Sequence, residues 1–274
     1  MSLTIATHNI LNGFSDEAQW PAYVANIARI DADVVTLPEA YGEFETDYLE
    51  AALDECRGLG YQAVHCAYQD ADSRQDRHGL VVLSRVKADL EVVRCATRNM
   101  IAGSLEDPDT QASVTYIGGH FDDRLIETKL GQLESMLTTT IPLEGPVVMA
   151  VDSNDFHRRD PRARLLRIFA PAFNLLKEGE PVFGKKTALV DLPARVGSVG
   201  RRAARMAEGR LLQALEFHGF HDAAPDYKPT FTIANWPCAQ LDHILTRDCP
   251  VVEFEVVPER AGSDHFPIKA KISS

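Results

Sequence analysis

YQAVHCA at 61–67, GLVVLS at 79–84, LEVVRC at 90–95, NMIAGS at 99–104 and ASVTYIGG at 112–119 are five β-like runs with no helical run between them. Each is short and apolar, and Gly79, Gly103 and Pro108 separate some of them. Upstream, Leu3–Asn9 and Asp33–Leu37 read as strands around a helix over Asp16–Ile30. That helix has Trp20, Val24, Ile27 and Ala28 at helical spacing, Asp16 as a candidate cap and Pro21 near its start. Asp47–Leu59 reads as a helix that Gly60 ends. Downstream, helices are expected at Arg124–Thr140, Pro161–Leu176 and Ala203–Phe217, and strands at Pro146–Val151, Gln240–Thr246, Val251–Val257 and Pro267–Ile272. Strands in runs with helices between the groups are neither strict βα alternation nor all-β. The pattern points to an α/β fold, two β-sheets packed face to face with helices on the outer faces. The 274 residues are read as a single domain, 1–274.

Composition is that of a globular protein: 45% hydrophobic and 25% charged. No apolar stretch approaches the roughly 20 residues of a membrane span, and the N-terminus carries no basic and apolar leader pattern. Five cysteines, Cys56, Cys66, Cys95, Cys238 and Cys249, form no CxxC pair and are odd in number, which points to reduced thiols in a cytoplasmic protein. The formal net charge of −12 gives no global attraction for nucleic acid. Segment 157–210 stands apart, with 13 Lys/Arg against five Asp/Glu. It is either a solvated basic surface or a local attractor for anions at the rim of the site.

Polar residues recur where the apolar runs stop. Leu3–Thr7 leads into His8-Asn9, Val34–Leu37 into Pro38-Glu39, Tyr116–Gly119 into His120-Phe121-Asp122, and Val147–Val151 into Asp152-Ser153-Asn154. Near the C-terminus come Leu241-Asp242-His243 and Ser263-Asp264-His265. Any one of these is an ordinary turn or cap. Several carboxylates with two histidines and two asparagines converging on one sheet edge would be costly without a cation or bound protons.

The motifs TIATHNIL, DADVVTLPEA, HGLVVLSR, YIGGHF, VVMAVDSNDF, PTFTIANWPCAQLDHILT and GSDHFPI, in that order, cover Ile5 to about Ile268. The chain resembles the endonuclease/exonuclease/phosphatase superfamily, which includes pancreatic-type deoxyribonucleases, AP endonucleases, inositol polyphosphate 5-phosphatases and neutral sphingomyelinases. The resemblance implies a four-layer α/β sandwich of two mixed sheets and Mg²⁺ or Mn²⁺ as cofactor. It implies that Glu39 is the main metal carboxylate, with Asn9 and Asp264 close to the metal. It places His265 at the phosphate with Asp242 orienting it, Asp152 on the nucleophilic water, Asn154 on a phosphoryl oxygen, and His120 at the phosphate or leaving group.

Such residue types suit the chemistry. Phosphoester hydrolysis loads negative charge onto the phosphoryl oxygens. Mg²⁺ takes oxygen ligands and keeps several waters, so one or two carboxylates hold it. A histidine paired with a carboxylate carries positive charge more readily. Pro38 stands where the family often has Gln, and Val151-Asp152-Ser153-Asn154 where it has G-D-F-N. These departures blur the subfamily. The expected activity is hydrolysis of a small or medium phosphodiester or phosphomonoester, away from membranes. A DNA or RNA nuclease of the same fold is the alternative, and a non-catalytic phosphate-binding protein a third.

Overall fold

A computed structural model describes residues 2–42, 48–67, 78–95, 98–108, 110–122, 126–139, 145–155, 209–224, 226–233 and 236–273. Two six-stranded sheets form its centre. The strands of the first are β1 (Ser2–Thr7), β2 (Val34–Gly42), β3 (Gln62–Ala67), β4 (His78–Ser84), β13 (Val251–Val256) and β14 (Ile268–Ser273), in the order β13-β14-β1-β2-β4-β3. The second contains β5 (Ala88–Val93), β6 (Met100–Glu106), β7 (Ser113–His120), β8 (Val147–Asp152), β9 (His221–Asp222) and β12 (Asp242–Arg247), in the order β5-β6-β7-β8-β12-β9. Both sheets are mixed, since β1–β2 and β7–β8 are parallel while their other pairings are antiparallel. A hairpin of β10 (Phe231–Ile233) and β11 (Trp236–Ala239) stands beside them.

Central strands such as β4 and β8 read as continuous apolar runs because both of their faces are covered, whereas the edge strands β5 and β13 are largely exposed. Leu3, Ile5, Val34, Leu80 and Val82 of the first sheet share one buried cluster with Ile101, Val114, Tyr116, Val148, Ala150 and Ile244 of the second. Their alternate neighbours face outward. Val35, Leu37, Val81 and Leu83 pack on α1 (Trp20–Ile30) and α2 (Leu49–Gly58). Val147, Met149, Val151 and Leu245 pack on α3 (Ile126–Thr139) and α4 (Arg210–Phe217). The period of two thus fills three buried layers between four layers of structure. Each fully buried Val, Leu or Ile adds about 1.5–3 kcal/mol. Gly118 lets the two sheets meet without a side chain between them: a Cβ there would sit 2.7 Å from Val82 Cγ2 and 2.8 Å from Thr36 Oγ1. Beside it, Thr36 Oγ1 and Tyr116 OH hydrogen-bond from one sheet to the other.

The expected strands and helices are present with shifted ends wherever they fall on described residues. The first helix begins at Trp20, not Asp16. Asp16 instead accepts the Ala18 N–H (2.8 Å) in a turn that follows a 3₁₀ segment, Gly13–Ser15. The expected helix at Pro161–Leu176 lies outside the described residues, as does basic segment 157–210 apart from Gly209 and Arg210. Cys56, Cys66, Cys95 and Cys249 are free thiols. Among the described residues, no helix is long and apolar enough to cross a membrane.

Candidate active site

Strand register assembles the centre of the site. His120 ends β7 and is the register partner of Asp152, which ends the parallel strand β8. Asp152 is in turn the partner of Asp242. The sequence places Asp242 after an apolar residue, as if at a strand end, but it is the first residue of β12. Because β12 runs antiparallel to β8, its beginning lies at the same edge. Three catalytic candidates therefore stand in a row, one strand spacing apart, roughly 4.8 Å.

The first sheet faces this row with Asn9 and Glu39. The backbone beyond β1 continues along β2, with the His8 and Ile10 N–H groups on the carbonyls of Thr36 and Pro38. Pro38 has no N–H to give, and β2 bulges there: the pairing with β4 skips from Leu37 opposite Val81 to Tyr41 opposite Gly79. Glu39 sits in the bulge at φ 50°, a left-handed conformation that is costly for a non-glycine and re-aims its side chain. Its Oε1 lies 3.7 Å from His120 Nε2. Asn9 Nδ2 donates to Asp152 Oδ2 (3.0 Å), and Asn9 Oδ1 accepts the Leu11 N–H.

The loop before β14 supplies Asp264 and His265. Ser263 is its hinge pin, since its hydroxyl donates to the Asn9 carbonyl (2.6 Å) and accepts the His265 N–H (3.0 Å). The β10 segment supports the loop, with Thr232 N donating to the Asp264 carbonyl (2.8 Å) and the Phe231 ring 5.0 Å from the imidazole of His265. His265 Nδ1 is 2.8 Å from Asp242 Oδ2, and Nε2 reaches 4.0 Å from Asp152 Oδ2 and 3.9 Å from Asp264 Oδ1. All eight residues expected from the sequence thus share one edge of the sandwich.

Electrostatics separate the two histidines. Burial disfavours the cation of His265, but Asp242, by charge and hydrogen bond, with Asp152 and Asp264 outweighs it and raises the pKa to about 10. That shift favours the imidazolium form of His265 at neutral pH. His120 goes the other way: burial, then Arg98, His78, His265 and Lys129, hold it well below its usual value. Its hydrogen bond agrees. Asn154 Nδ2 lies 2.9 Å from the Phe121 carbonyl, an acceptor only, so this end of the amide is the NH₂. The same nitrogen is 2.7 Å from His120 Nε2, which therefore accepts and belongs to a neutral ring. Both hydrogens of the amide have acceptors inside the protein, so Asn154 meets a phosphoryl oxygen only by releasing one. Asp152 is pushed up to about 6 by burial and by Asp242, against His265, Asn9 and the Asn154 N–H.

The donor set suits a cation. Oδ1 of Asp242 and Oδ1 of Asp264 are buried with no hydrogen-bond partner, beside Asp152 and Glu39. Oxygen-rich acidic surroundings of this kind fit a hard divalent ion. Ligand atoms of Asp152, Asp242 and His265 all lie within 4.8 Å of one another, a different trio from Asn9, Glu39 and Asp264 named from the sequence. In that trio His265 and Asp242 are already bonded to each other.

The sequence reading missed four polar residues around the site. Lys129 and Gln132 on α3 and Arg98 before β6 are buried, and His78 at the start of β4 binds Asn12 Oδ1 through Nδ1 (2.7 Å). Only Lys129 left a signal: a lysine among Ile126, Leu130, Leu133 and Leu137 on the face of an otherwise amphipathic helix.

A family model described as the endonuclease/exonuclease/phosphatase family matches residues 6–265. The chain belongs to this family. Members of the family are hydrolases, phosphatases and nucleases among them, and typically use divalent metals. No curated protein matches the chain. Among solved structures, an endonuclease/exonuclease/phosphatase from Beutenbergia cavernae DSM 12333 is similar at TM-score 0.67 and 16% identity, covering 99% of this chain and 71% of that one. Bacteroides thetaiotaomicron VPI-5482 mannosyl-6-phosphatase Bt3783 superposes at TM-score 0.58 and 14% identity, over 99% of this chain and all 100% of that one. The endonuclease domain of TRAS1, a telomere-specific non-LTR retrotransposon, does so at 0.55 and 13%, covering 99% and 98%. At these identities the likeness is one of fold.

Proposed function

We propose that the chain is a cytoplasmic, divalent-metal-dependent phosphoesterase that hydrolyses a small or medium phosphodiester or phosphomonoester. The observation that carries this reading is the meeting, at one sheet edge, of His265, hydrogen-bonded to Asp242 at 2.8 Å, with a set of carboxylates that contains buried oxygens without a hydrogen-bond partner. Glu39, Asn9 and Asp264 are the residues that would hold Mg²⁺ or Mn²⁺. A bound divalent ion offsets charge on phosphoryl oxygens and makes water more acidic. The chain's own groups do the rest. His265, cationic through Asp242, faces the phosphoryl charge. Asp152, with a pKa of about 6, takes the proton of the attacking water, being basic enough to accept it and ionised at neutral pH. Asn154 keeps the His120 ring neutral and oriented, with its Nε2 3.6 Å from Asp152.

The mannosyl-6-phosphatase among the similar structures supports a small substrate, while the TRAS1 endonuclease domain is the counterpart for the nuclease reading. One acidic surface supports the former: a hollow of about 430 Å³ beside Asn12 is lined, among the described residues, by Leu11, Ser15, Asp16, Glu17 and Gln19, whose two charged side chains are both negative. Nucleic-acid binding draws its affinity from Lys and Arg on phosphates and weakens steeply with salt. The test is turnover of soluble phosphoesters and of DNA and RNA at low and moderate salt. Salt-tolerant hydrolysis of the soluble esters is expected. Turnover of nucleic acid alone, lost as salt rises, would replace this reading with the nuclease.

A further inference from the structure

Lys129 is the one fully buried lysine among the described residues. It projects from α3, and its Nζ donates to the Asn154 carbonyl (2.6 Å) and to Asp155 Oδ1 (3.2 Å). Asp155, buried as well, uses its other oxygen to accept the Leu211 N–H (2.9 Å) in the first turn of α4. One turn along α3, buried Gln132 serves the neighbouring strand. Its Oε1 accepts the Asp122 N–H (2.8 Å), and its Nε2 donates to the Arg98 carbonyl (3.3 Å). Arg98 Nη1 in turn donates to the Phe121 carbonyl (3.0 Å), the same oxygen that receives the Asn154 amide (2.9 Å). The circuit closes on α3 at both ends and encloses the His120–Asn154 contact.

Stability alone gives no reason for this arrangement. A buried ion pair exchanged for apolar side chains of similar volume is often neutral or stabilising. What an apolar pair cannot do is fix two backbone carbonyls, two N–H groups and one left-handed residue in register. Asn154 sits at φ 49°, a conformation that persists only when its surroundings determine it. Its N–H is held by Asp152 Oδ1 (3.0 Å), its carbonyl by Lys129 and its amide by Phe121 and His120. Removing Lys129 frees the carbonyl and leaves rotation of this residue opposed only from the strand side.

We propose that the buried polar stripe Lys129–Gln132 of α3 is a positioning device, which clamps the ends of β7 and β8 so that the Asn154 amide holds His120 in one neutral tautomer. Lys129 and Gln132 are positioning residues and touch no substrate. Only the kinetic arm of the test rests on the phosphoesterase reading.

The experiment uses the full chain with Lys129→Met and Asp155→Asn together, so that no buried charge is stranded and an oxygen still caps α4. Thermal melting reports the fold, and ¹⁵N-edited NMR of the imidazoles in EDTA reports His120 without any substrate. The expected double variant melts as a folded protein, and its His120 nitrogens lose the pattern of a single Nδ1–H tautomer. With p-nitrophenyl phosphate esters and Mn²⁺, kcat falls roughly tenfold to a hundredfold, as for a misplaced catalytic group, while KM changes little. If the wild type hydrolyses none of these esters, the phosphoesterase reading fails while the NMR arm still decides the clamp. A folded double variant with unchanged His120 resonances overturns the proposal. If the double variant does not fold, Gln132→Met, which releases the other strand end, is read by the same resonances to the same two outcomes.

Discussion

Replacing Asp242 by Asn removes the group that keeps His265 charged, and the consequence has a pH signature. The folded pKa of His265, about 10, lies above its ordinary value of 6.5. Such a group adds stability that is fully present below pH 6.5 and drains away as pH rises towards about 10. Within that window the folded wild type holds a proton the unfolded chain lacks, so its stability falls by about 1.4 kcal/mol per pH unit. In Asp242→Asn the charge of Asp242 no longer offsets burial, His265 moves back towards its ordinary value, and this slope flattens. Near pH 7 the variant should be less stable by about 3–5 kcal/mol, the usual cost of breaking a buried ion pair. By about pH 9.5 the difference should have shrunk by roughly 2–3 kcal/mol. Urea denaturation followed by circular dichroism, on both proteins in EDTA at several pH values, measures it. Parallel stability curves across the window would refute the assignment of His265 as a cation held by Asp242.

Other expectations follow from single contacts. Glu39→Gln should fold normally and lose most hydrolysis of p-nitrophenyl phosphate esters with Mg²⁺ or Mn²⁺; retained turnover would move the metal to other residues. Gly118→Ala should cost about 1–3 kcal/mol in urea denaturation, because the new methyl meets both Val82 and Thr36 across the sheet interface. Ser263→Ala, which deprives the Asn9 carbonyl and the His265 N–H of their shared partner, should cost about 1–2 kcal/mol and lower kcat, read by melting and by steady-state rates.

Much of the fold was legible because its central strands are buried on both faces. Val147–Val151 and Val34–Leu37 are largely apolar runs, and the polar residues that follow them, Asp152 at the end of β8 and Glu39 in the bulge of β2, come to one edge of the sandwich. Short elements escaped. The two-residue β9 and the β10–β11 hairpin have no period to read, yet β10 braces the Asp264–His265 loop. The start of α1 was misplaced because Asp16 caps a tight turn four residues before the helix, and an aspartate ahead of an apolar run signals either. Of the site, the residues at strand ends were visible as recurring polar stops, but the pairing of Asp242 with His265 came only from family resemblance. The tie from Lys129 to Asp155 spans 26 residues and two elements, so no local pattern encodes it. The bulge that turns Glu39 inward is likewise invisible in the run Leu37-Pro38-Glu39 until β4 is laid beside it.

The most direct test of the central claim is hydrolysis of p-nitrophenyl phosphate and bis(p-nitrophenyl) phosphate by metal-stripped protein, before and after adding back Mg²⁺ or Mn²⁺. The account predicts no turnover in EDTA, turnover restored by the added ion, and none restored in Glu39→Gln. Hydrolysis that persists undiminished in excess EDTA, or none with either ion on either ester, would contradict it.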